Sequence, residues 1–119
     1  MLYKSEIILS QHTHNFDSSR EWVYGDPYPG DAYYGKSDGL HTVQYALHQF
    51  IGVIAIHATL CFEPEFDDWF TVVEHEYEDI LPTQEYITGY DNFIGNYVWV
   101  RAVLKNWQYG TVLSIRLNR

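Results

Sequence analysis

Phe50-Ile51-Gly52 and Phe93-Ile94-Gly95 are two occurrences of one tripeptide, and each opens a run of side chains that alternate with a period of two. The runs cover residues 53–60 and 96–104. Such alternation predicts β-strands with one buried face, and no stretch of a dozen residues has the period of a helix. The sequence therefore predicts an all-β protein, an antiparallel β-sandwich or jelly roll of about seven or eight strands with little helix.

The predicted strands follow the same alternation along the rest of the chain. They cover residues 6–10, 41–49, 53–62, 68–76, 85–88, 96–104 and 111–118. The short connection at 49–52 predicts a hairpin. Gly110 is predicted to form the turn before the last strand.

The two Phe-Ile-Gly segments are not copies of one repeated unit. After Gly52 the apolar positions fall one residue earlier than after Gly95, and such a shift turns every side chain to the opposite face. The glycines are therefore expected to mark strand-entry bends or bulges in a single sandwich. The residues expected in the core are Ile54, Ile56, Val98 and Val100, with Cys61 as a further small core residue.

Composition limits the classes of partner. The chain has 119 residues, which suits one domain, and a formal net charge of −9. Nucleic acid and anionic membranes are disfavoured, because the seven basic residues form no patch. No apolar stretch reaches the length of a membrane span, and the first residues lack the apolar block of a signal peptide. A basic protein surface or a cation remains as a class of partner.

Residues 11–40 are predicted to form a long aromatic loop, or a docking segment held on the sandwich or on a neighbour. Turn sequences recur in it, as in Gly25-Asp26-Pro27 and Tyr28-Pro29-Gly30, and loops of this length are usually functional. The eleven tyrosines and four tryptophans of the chain indicate surface contacts or an aromatic-rich core. The predicted interface residues are Trp22, Tyr24, Tyr28, Tyr33, Tyr34, Tyr97, Trp99 and Arg101.

Arg101 is the most suggestive single residue. It lies mid-strand between Trp99 and Val103, on a predicted face with Tyr97. An arginine stem packed on aromatic rings, with its head in a cation–π contact or an ion pair, is a common interface arrangement. The alternative is an outward strand residue paired with a cross-strand glutamate.

Candidate reactive or metal-binding groups are present but incomplete. His12 and His14 could form a metal pair, whereas a zinc site needs three or four converging ligands. The acidic runs at 63–68 and 74–79 lack the order of an EF-hand loop. No Gly-x-Ser-x-Gly elbow and no glycine-rich phosphate loop occur. The sequence therefore predicts a non-enzymatic protein with no catalytic residues, no metal site and no cofactor.

A series of short motifs between residues 25 and 118 resembles small virion-associated proteins of tailed phages, particularly the T4-like phages of cyanobacteria. The motifs are Tyr33-Tyr34-Gly35, Asp38-Gly39-Leu40-His41-Thr42-Val43-Gln44-Tyr45, Phe50-Ile51-Gly52, Ala58-Thr59-Leu60, Pro64, Asp68-Trp69-Phe70, Gly95-Asn96-Tyr97-Val98-Trp99-Val100-Arg101-Ala102 and the ending Gly110-Thr111-Val112 to Ile115-Arg116-Leu117-Asn118. The resemblance implies a structural component of the virion, in the head, neck or tail, made in the host cytoplasm. Its implied partners are other phage structural proteins, as a homo-oligomer or a symmetric lattice.

Two pieces of the chain also resemble the jelly-roll pattern of carbohydrate-binding and discoidin-like modules. They are Asp68-Trp69 and Val98-Trp99-Val100-Arg101. This resemblance implies an alternative function, a carbohydrate-binding module that contributes to host attachment. Exposed Trp22, Trp107 and tyrosines would then stack on a glycan.

Overall fold

Eight strands, all paired antiparallel, make up most of the computed structural model, which describes residues 5–14, 20–30, 32, 39–78 and 86–119. The strands are β1 (Ser5–Leu9), β2 (His12–Thr13), β3 (Glu21–Tyr24), β4 (Tyr28–Pro29), β5 (Leu40–Thr59), β6 (Phe70–Tyr77), β7 (Tyr86–Ile94) and β8 (Trp99–Asn118). A 3₁₀ turn at Phe66–Asp68 lies between β5 and β6. The predicted all-β antiparallel sandwich is confirmed. No helix in these ranges is long and apolar enough to cross a membrane.

β5 and β8 are each 20 residues long and run antiparallel to each other through both halves of the sandwich. The first part of β5 pairs with β7 and with the end of β8, which also pairs with β1 and β2. These strands form the first half-sheet. The last part of β5 pairs with β6 and with the start of β8, which also pairs with β3 and β4. These strands form the second half-sheet.

The two long strands bend together where one half-sheet passes into the other. Gln49 and Asn106 have φ angles of 52° and 50°, while Gly52 and Gly110 have φ angles of 149° and 95°. The β5–β8 register shifts at the same place, as expected of β-bulges that bend a sheet. The predicted hairpin at 49–52 and the predicted turn at Gly110 are therefore wrong, because both strands pair with each other on both sides of the bend.

The two Phe-Ile-Gly segments have different positions in the fold. Gly52 lies at the bend inside β5, as the predicted bulge requires. Gly95 instead follows the last residue of β7, and β8 begins only at Trp99. The prediction that the second tripeptide opens a strand is therefore wrong.

The core lies between the two half-sheets. At the bend, the rings of Phe50 and Trp107 stack with centroids 6.2 Å apart. Ile54, Ile56 and Val100 are fully buried, as predicted. The other core residues are Ile8, Leu9, Val43, Tyr45, Leu47, Ala58, Phe93, Ala102, Leu104, Val112, Ile115 and Leu117.

Two residues predicted for the core lie elsewhere. Val98 is only partly buried, because it precedes β8, where its amide donates to the Thr59 carbonyl oxygen. Cys61 is exposed, because β5 ends at Thr59 and the chain leaves the sheet before the cysteine. Period-two alternation predicts burial only where the strand continues.

The predicted loop at 11–40 contains strand structure where it is described. β2, β3 and β4 all pair with β8 and extend the edge of the sheet. Between β3 and β4 the Gly25 amide donates to the Ala102 carbonyl oxygen, and just after β4 the Gly30 amide donates to the Val98 carbonyl oxygen. Tyr33 and Tyr34 lie outside the described residues.

A partly buried hydrogen-bond network joins the half-sheets at the edge formed by β6 and β7. Asp91 accepts a hydrogen bond from the Tyr45 hydroxyl at 2.9 Å and contacts His75 Nε2 at 2.5 Å. Tyr45 is 1% exposed. Burial, followed by the hydrogen bond and the charge of Asp91, raises the pKa of Tyr45 above its usual range, so the hydroxyl stays a donor.

Removing the Asp91 carboxylate should destabilise the fold. We expect Asp91→Ala to lower the free energy of unfolding by about 1 to 2 kcal/mol, because a buried hydroxyl loses its acceptor. Chemical denaturation measures the change. The matched control is Asp91→Ala in a Tyr45→Phe background, where no hydroxyl is left unpaired. An equal loss in both backgrounds would show that this hydrogen bond contributes nothing.

Candidate functional site

The outer face of the second half-sheet carries the candidate site. Ile54 and Ile56 of β5 point into the core, so the alternate residue His57 lies on the outer side. Arg101 of β8 is the cross-strand partner of His57 and shares that face. Tyr24 reaches the same face from β3, where its partner is Val103. Three neighbouring strands therefore place an arginine, a histidine and a tyrosine together.

The connection between β5 and β6, residues 60–69, crosses this face. The Trp99 indole on β8 donates to the Phe62 carbonyl oxygen at 2.8 Å and holds the connection over the sheet. The 3₁₀ turn is closed by Glu65 and Asp68, since the Glu65 amide donates to the Asp68 carboxylate at 2.8 Å. The turn brings Phe66 to an edge-on contact with Tyr24, with ring centroids 5.6 Å apart.

Three aromatic rings surround the Arg101 guanidinium. Its central carbon lies 4.2 Å from the Trp69 ring centroid, 4.9 Å from that of Tyr24 and 5.9 Å from that of Phe66. Phe66 is 67% exposed and Tyr24 is 43% exposed, so solvent reaches these rings. We call Tyr24, His57, Phe66, Trp69 and Arg101 the aromatic–arginine site.

Three nitrogen atoms of the site lack hydrogen-bond partners among the described residues. Arg101 Nε and both ring nitrogens of His57 are enclosed with no hydrogen-bond partner in the described part of the chain. Burial lowers the pKa of Arg101 from its usual value. Burial first, then the charges of Lys105 and Arg101, lowers the pKa of His57 to about 4. At neutral pH the site therefore presents a cationic guanidinium beside a neutral imidazole.

The predicted interface residues divide between this site and other places. Tyr24 and Arg101 belong to the aromatic–arginine site. Trp22 precedes Tyr24 by two residues on β3 and is 56% exposed, so it extends the same face. Trp99 lies at the end of the face, under Phe62, where the ring centroids are 6.2 Å apart.

Other predicted residues point elsewhere. Tyr97 contacts His41, Phe93 and Phe70 on the core side, so the predicted face shared by Tyr97 and Arg101 is wrong. Tyr28 packs against the core. Trp107 is 2% exposed and cannot stack on a glycan.

His57, Phe66 and Trp69 are the site residues that the sequence prediction missed. Phe66 and Trp69 lie in the acidic stretch 63–68 and just after it. The aromatic residues between its carboxylates were the available signal. Their contact with Arg101 depends on how the connection crosses β5 and β8, which local periodicity does not reveal.

The predicted alternatives for metal binding do not converge. His12 Nδ1 lies 2.7 Å from the Ser10 carbonyl oxygen, whereas buried His14 makes an edge-on contact with Trp107. Among the described residues, no group of three or more histidine, cysteine, aspartate or glutamate side chains could hold a metal ion.

A cleft of about 270 Å³ lies between β1 and the β3–β4 edge. Tyr24 lines this cleft in addition to its place in the aromatic–arginine site.

The chain is similar in fold to carbohydrate-binding modules of known structure. No family model and no curated protein sequence matches it. The family 6 module of the Cellvibrio mixtus lichenase 5A, solved in complex with cellotriose, has a TM-score of 0.52 at 14% identity, and the match covers 92% of this chain and 86% of that one. The C-terminal family 6 module of the Zobellia galactanivorans laminarinase LamC has a TM-score of 0.55 at 10% identity, with 99% and 100% covered.

A carbohydrate-binding module of a different family is similar in fold to the same extent. The family 29 carbohydrate-binding module from Piromyces equi has a TM-score of 0.53 at 9% identity, and the match covers 98% of this chain and 91% of that one. At sequence identities of 9%, 10% and 14%, the similarity to these three structures shows a shared fold. It extends the confirmed β-sandwich to a named group of structures.

Proposed function

We propose that the protein is a carbohydrate-binding module that holds a glycan at the aromatic–arginine site. The observation that carries the proposal is the group of three aromatic rings around Arg101 on an outer sheet face. Rings with one open face are the side chains that bind the apolar faces of sugars, while nearby polar groups select hydroxyl orientation. The three similar structures, all carbohydrate-binding modules, support the proposal through their shared fold.

The geometry assigns distinct roles to the residues of the site. Phe66 and Tyr24 offer accessible rings for stacking, and Trp22 extends the surface along β3. Arg101 supplies hydrogen-bonding nitrogens between the rings, and His57 supplies two more beside Arg101. The pairing of β3, β8 and β5 fixes three of these side chains before a ligand arrives, which lowers the entropic cost of binding. The expected activity is binding without a chemical step.

Loss of one exposed ring should weaken glycan binding without unfolding the protein. We expect Phe66→Ala to lower the affinity for a bound glycan by about fivefold to tenfold, because one stacking contact is worth about 1 kcal/mol. Titration calorimetry with the best ligand from a glycan panel measures the effect. The matched control is Tyr90→Ala, since Tyr90 is 70% exposed on the outer face of the first half-sheet. If no glycan in the panel binds the wild type, the proposed function is wrong.

A structural component of a phage particle is the second candidate. The observation that favours it is a row of exposed apolar residues on the outer face of the first half-sheet, a feature typical of protein contact surfaces. These residues are Leu40, Tyr86, Tyr90 and Ile94, which are 51%, 68%, 70% and 73% exposed. On this proposal the protein sits in the virion and contacts other phage structural proteins. Mass spectrometry of purified particles tests it, and absence of the chain from them would refute it.

A further inference from the structure

Arg101 is the cation of the aromatic–arginine site, and no described carboxylate pairs with it. Lys105 pairs with Glu74 at 3.1 Å, and Arg119 pairs with Glu6. Arg101 has no carboxylate within ion-pair distance among the residues that the structure describes. The sequence offered a cross-strand glutamate as its partner, but the cross-strand residue is His57.

Burial makes this arrangement unusual. Arg101 is 9% exposed, and its Nε is enclosed without a partner in the described residues. A buried charge is normally paired, because removing it from water is costly, and cation–π contacts offset only part of that cost. The His57 nitrogens beside it are also enclosed and unpartnered. Two neighbouring side chains therefore keep donors that no described protein group uses.

The chain as a whole is acidic, so this site differs in sign from its surroundings. The net charge is −9, and the crossing connection carries Glu63, Glu65, Asp67 and Asp68, which are exposed. Asp68 is engaged with the Glu65 amide within the turn. At physiological salt, screening weakens the repulsion between a ligand anion and these exposed carboxylates, whereas the attraction of the anion to buried Arg101 is screened much less.

We infer that the site takes an acidic glycan, in which the carboxylate of a uronic acid residue binds the Arg101 guanidinium while its sugar ring lies against Phe66 and Tyr24. This inference rests on the proposed function. The planar guanidinium fork matches a carboxylate with two parallel hydrogen bonds. The neutral His57 ring donates or accepts one further hydrogen bond to the same sugar.

The test compares acidic oligosaccharides with their neutral counterparts on the wild-type protein. Homo-oligomers of galacturonate, glucuronate and mannuronate are titrated at physiological salt, each beside the same oligomer with its carboxylates reduced to alcohols. We expect at least one acidic oligomer to bind about tenfold more tightly than its reduced form, which is the discrimination expected of a charge-assisted hydrogen bond. A sulfated galactan is included to separate carboxylate from sulfate recognition.

Two variants assign the preference to Arg101. Arg101→Met keeps an apolar stem between the rings and removes the charge, so it should abolish the difference between acidic and reduced oligomers. Arg101→Lys keeps the charge without the fork, so it should retain only part of that difference. Thermal melts and circular dichroism check that each variant is folded, and the wild-type comparison stands without them.

The outcomes separate this inference from the proposed function. If reduced or other neutral glycans bind as tightly as the acidic ones, the acidic specificity is wrong and glycan binding stands. If the sulfated galactan binds more tightly than every uronate, the carboxylate assignment is wrong. If no glycan of either kind binds, the proposed function fails and the inference fails with it.

Discussion

Gly110→Ala should destabilise the protein by about 4 kcal/mol, because an alanine there combines a strained backbone conformation with a steric overlap. Gly110 has a φ angle of 95°, a conformation that costs an L-residue about 1 to 3 kcal/mol. An added Cβ would also overlap the backbone carbonyl oxygen of Gln49 and lie 2.8 Å from the Cα of Phe50. Backbone atoms of the facing strand cannot rotate away, so overpacking adds about 1 to 3 kcal/mol.

The bend between the half-sheets explains why this position matters. Gly110 and Gln49 lie in the β-bulges of β8 and β5, where the strands cross from one half-sheet to the other. Separation of the strands there would disturb the stacking of Phe50 on Trp107. With domains of this size typically stable by about 5 to 15 kcal/mol, the variant should be close to unfolding.

Urea denaturation of the wild type and of two glycine variants measures the effect. The control is Gly89→Ala on β7, where an added Cβ would meet nothing closer than 3.6 Å, at the Tyr45 ring. We expect the control to remain within about 0.5 kcal/mol of the wild type. Equal unfolding midpoints for the two variants would show that the bend tolerates a side chain, and the account of the β-bulges would be wrong.

Sequence periodicity was sufficient to predict the inward face of the second half-sheet. Ile54, Ile56 and Val100 are buried as expected, because a strand with one buried face must alternate. The continuity of β5 and β8 was not predictable in this way. A glycine in an alternating run can begin a turn or a β-bulge, and pairing with a distant strand decides which one forms.

In the candidate site too, the sequence near Arg101 indicated the arginine, whereas its contacts depend on residues far away in the chain. Arg101 was recognisable because a long cation stands on the outer side of an apolar strand near aromatic residues. Two of its three aromatic contacts come from a connection that lies more than thirty positions earlier in the chain and crosses two strands to reach it. The identity of the rings therefore depends on the path of residues 60–69 and not on the alternation of β8.

His57 should make the protein lose stability as the pH falls from about 7 to 4. Its folded-state pKa is about 4 against 6.5 for the unfolded chain, because burial and the charges of Lys105 and Arg101 disfavour protonation. The unfolded state therefore binds more protons over this range, and stability falls with falling pH. A shift of this size corresponds to about 3 kcal/mol. The imidazole is only half-buried, so we discount the expected loss to about 2 kcal/mol.

A comparison with His57→Leu isolates this contribution from the carboxylates that titrate over the same range. The leucine variant keeps an apolar group of similar size between Arg101 and Lys105 and has no proton to bind. We expect the free energy of unfolding of the wild type to fall by about 2 kcal/mol more than that of the variant between pH 7 and pH 4. Parallel slopes would mean that His57 is protonated as easily in the folded protein as in water. The His57 ring nitrogens beside Arg101 would then be accessible to solvent. In that event, the inference that a ligand hydrogen-bonds to them would no longer be supported by their burial.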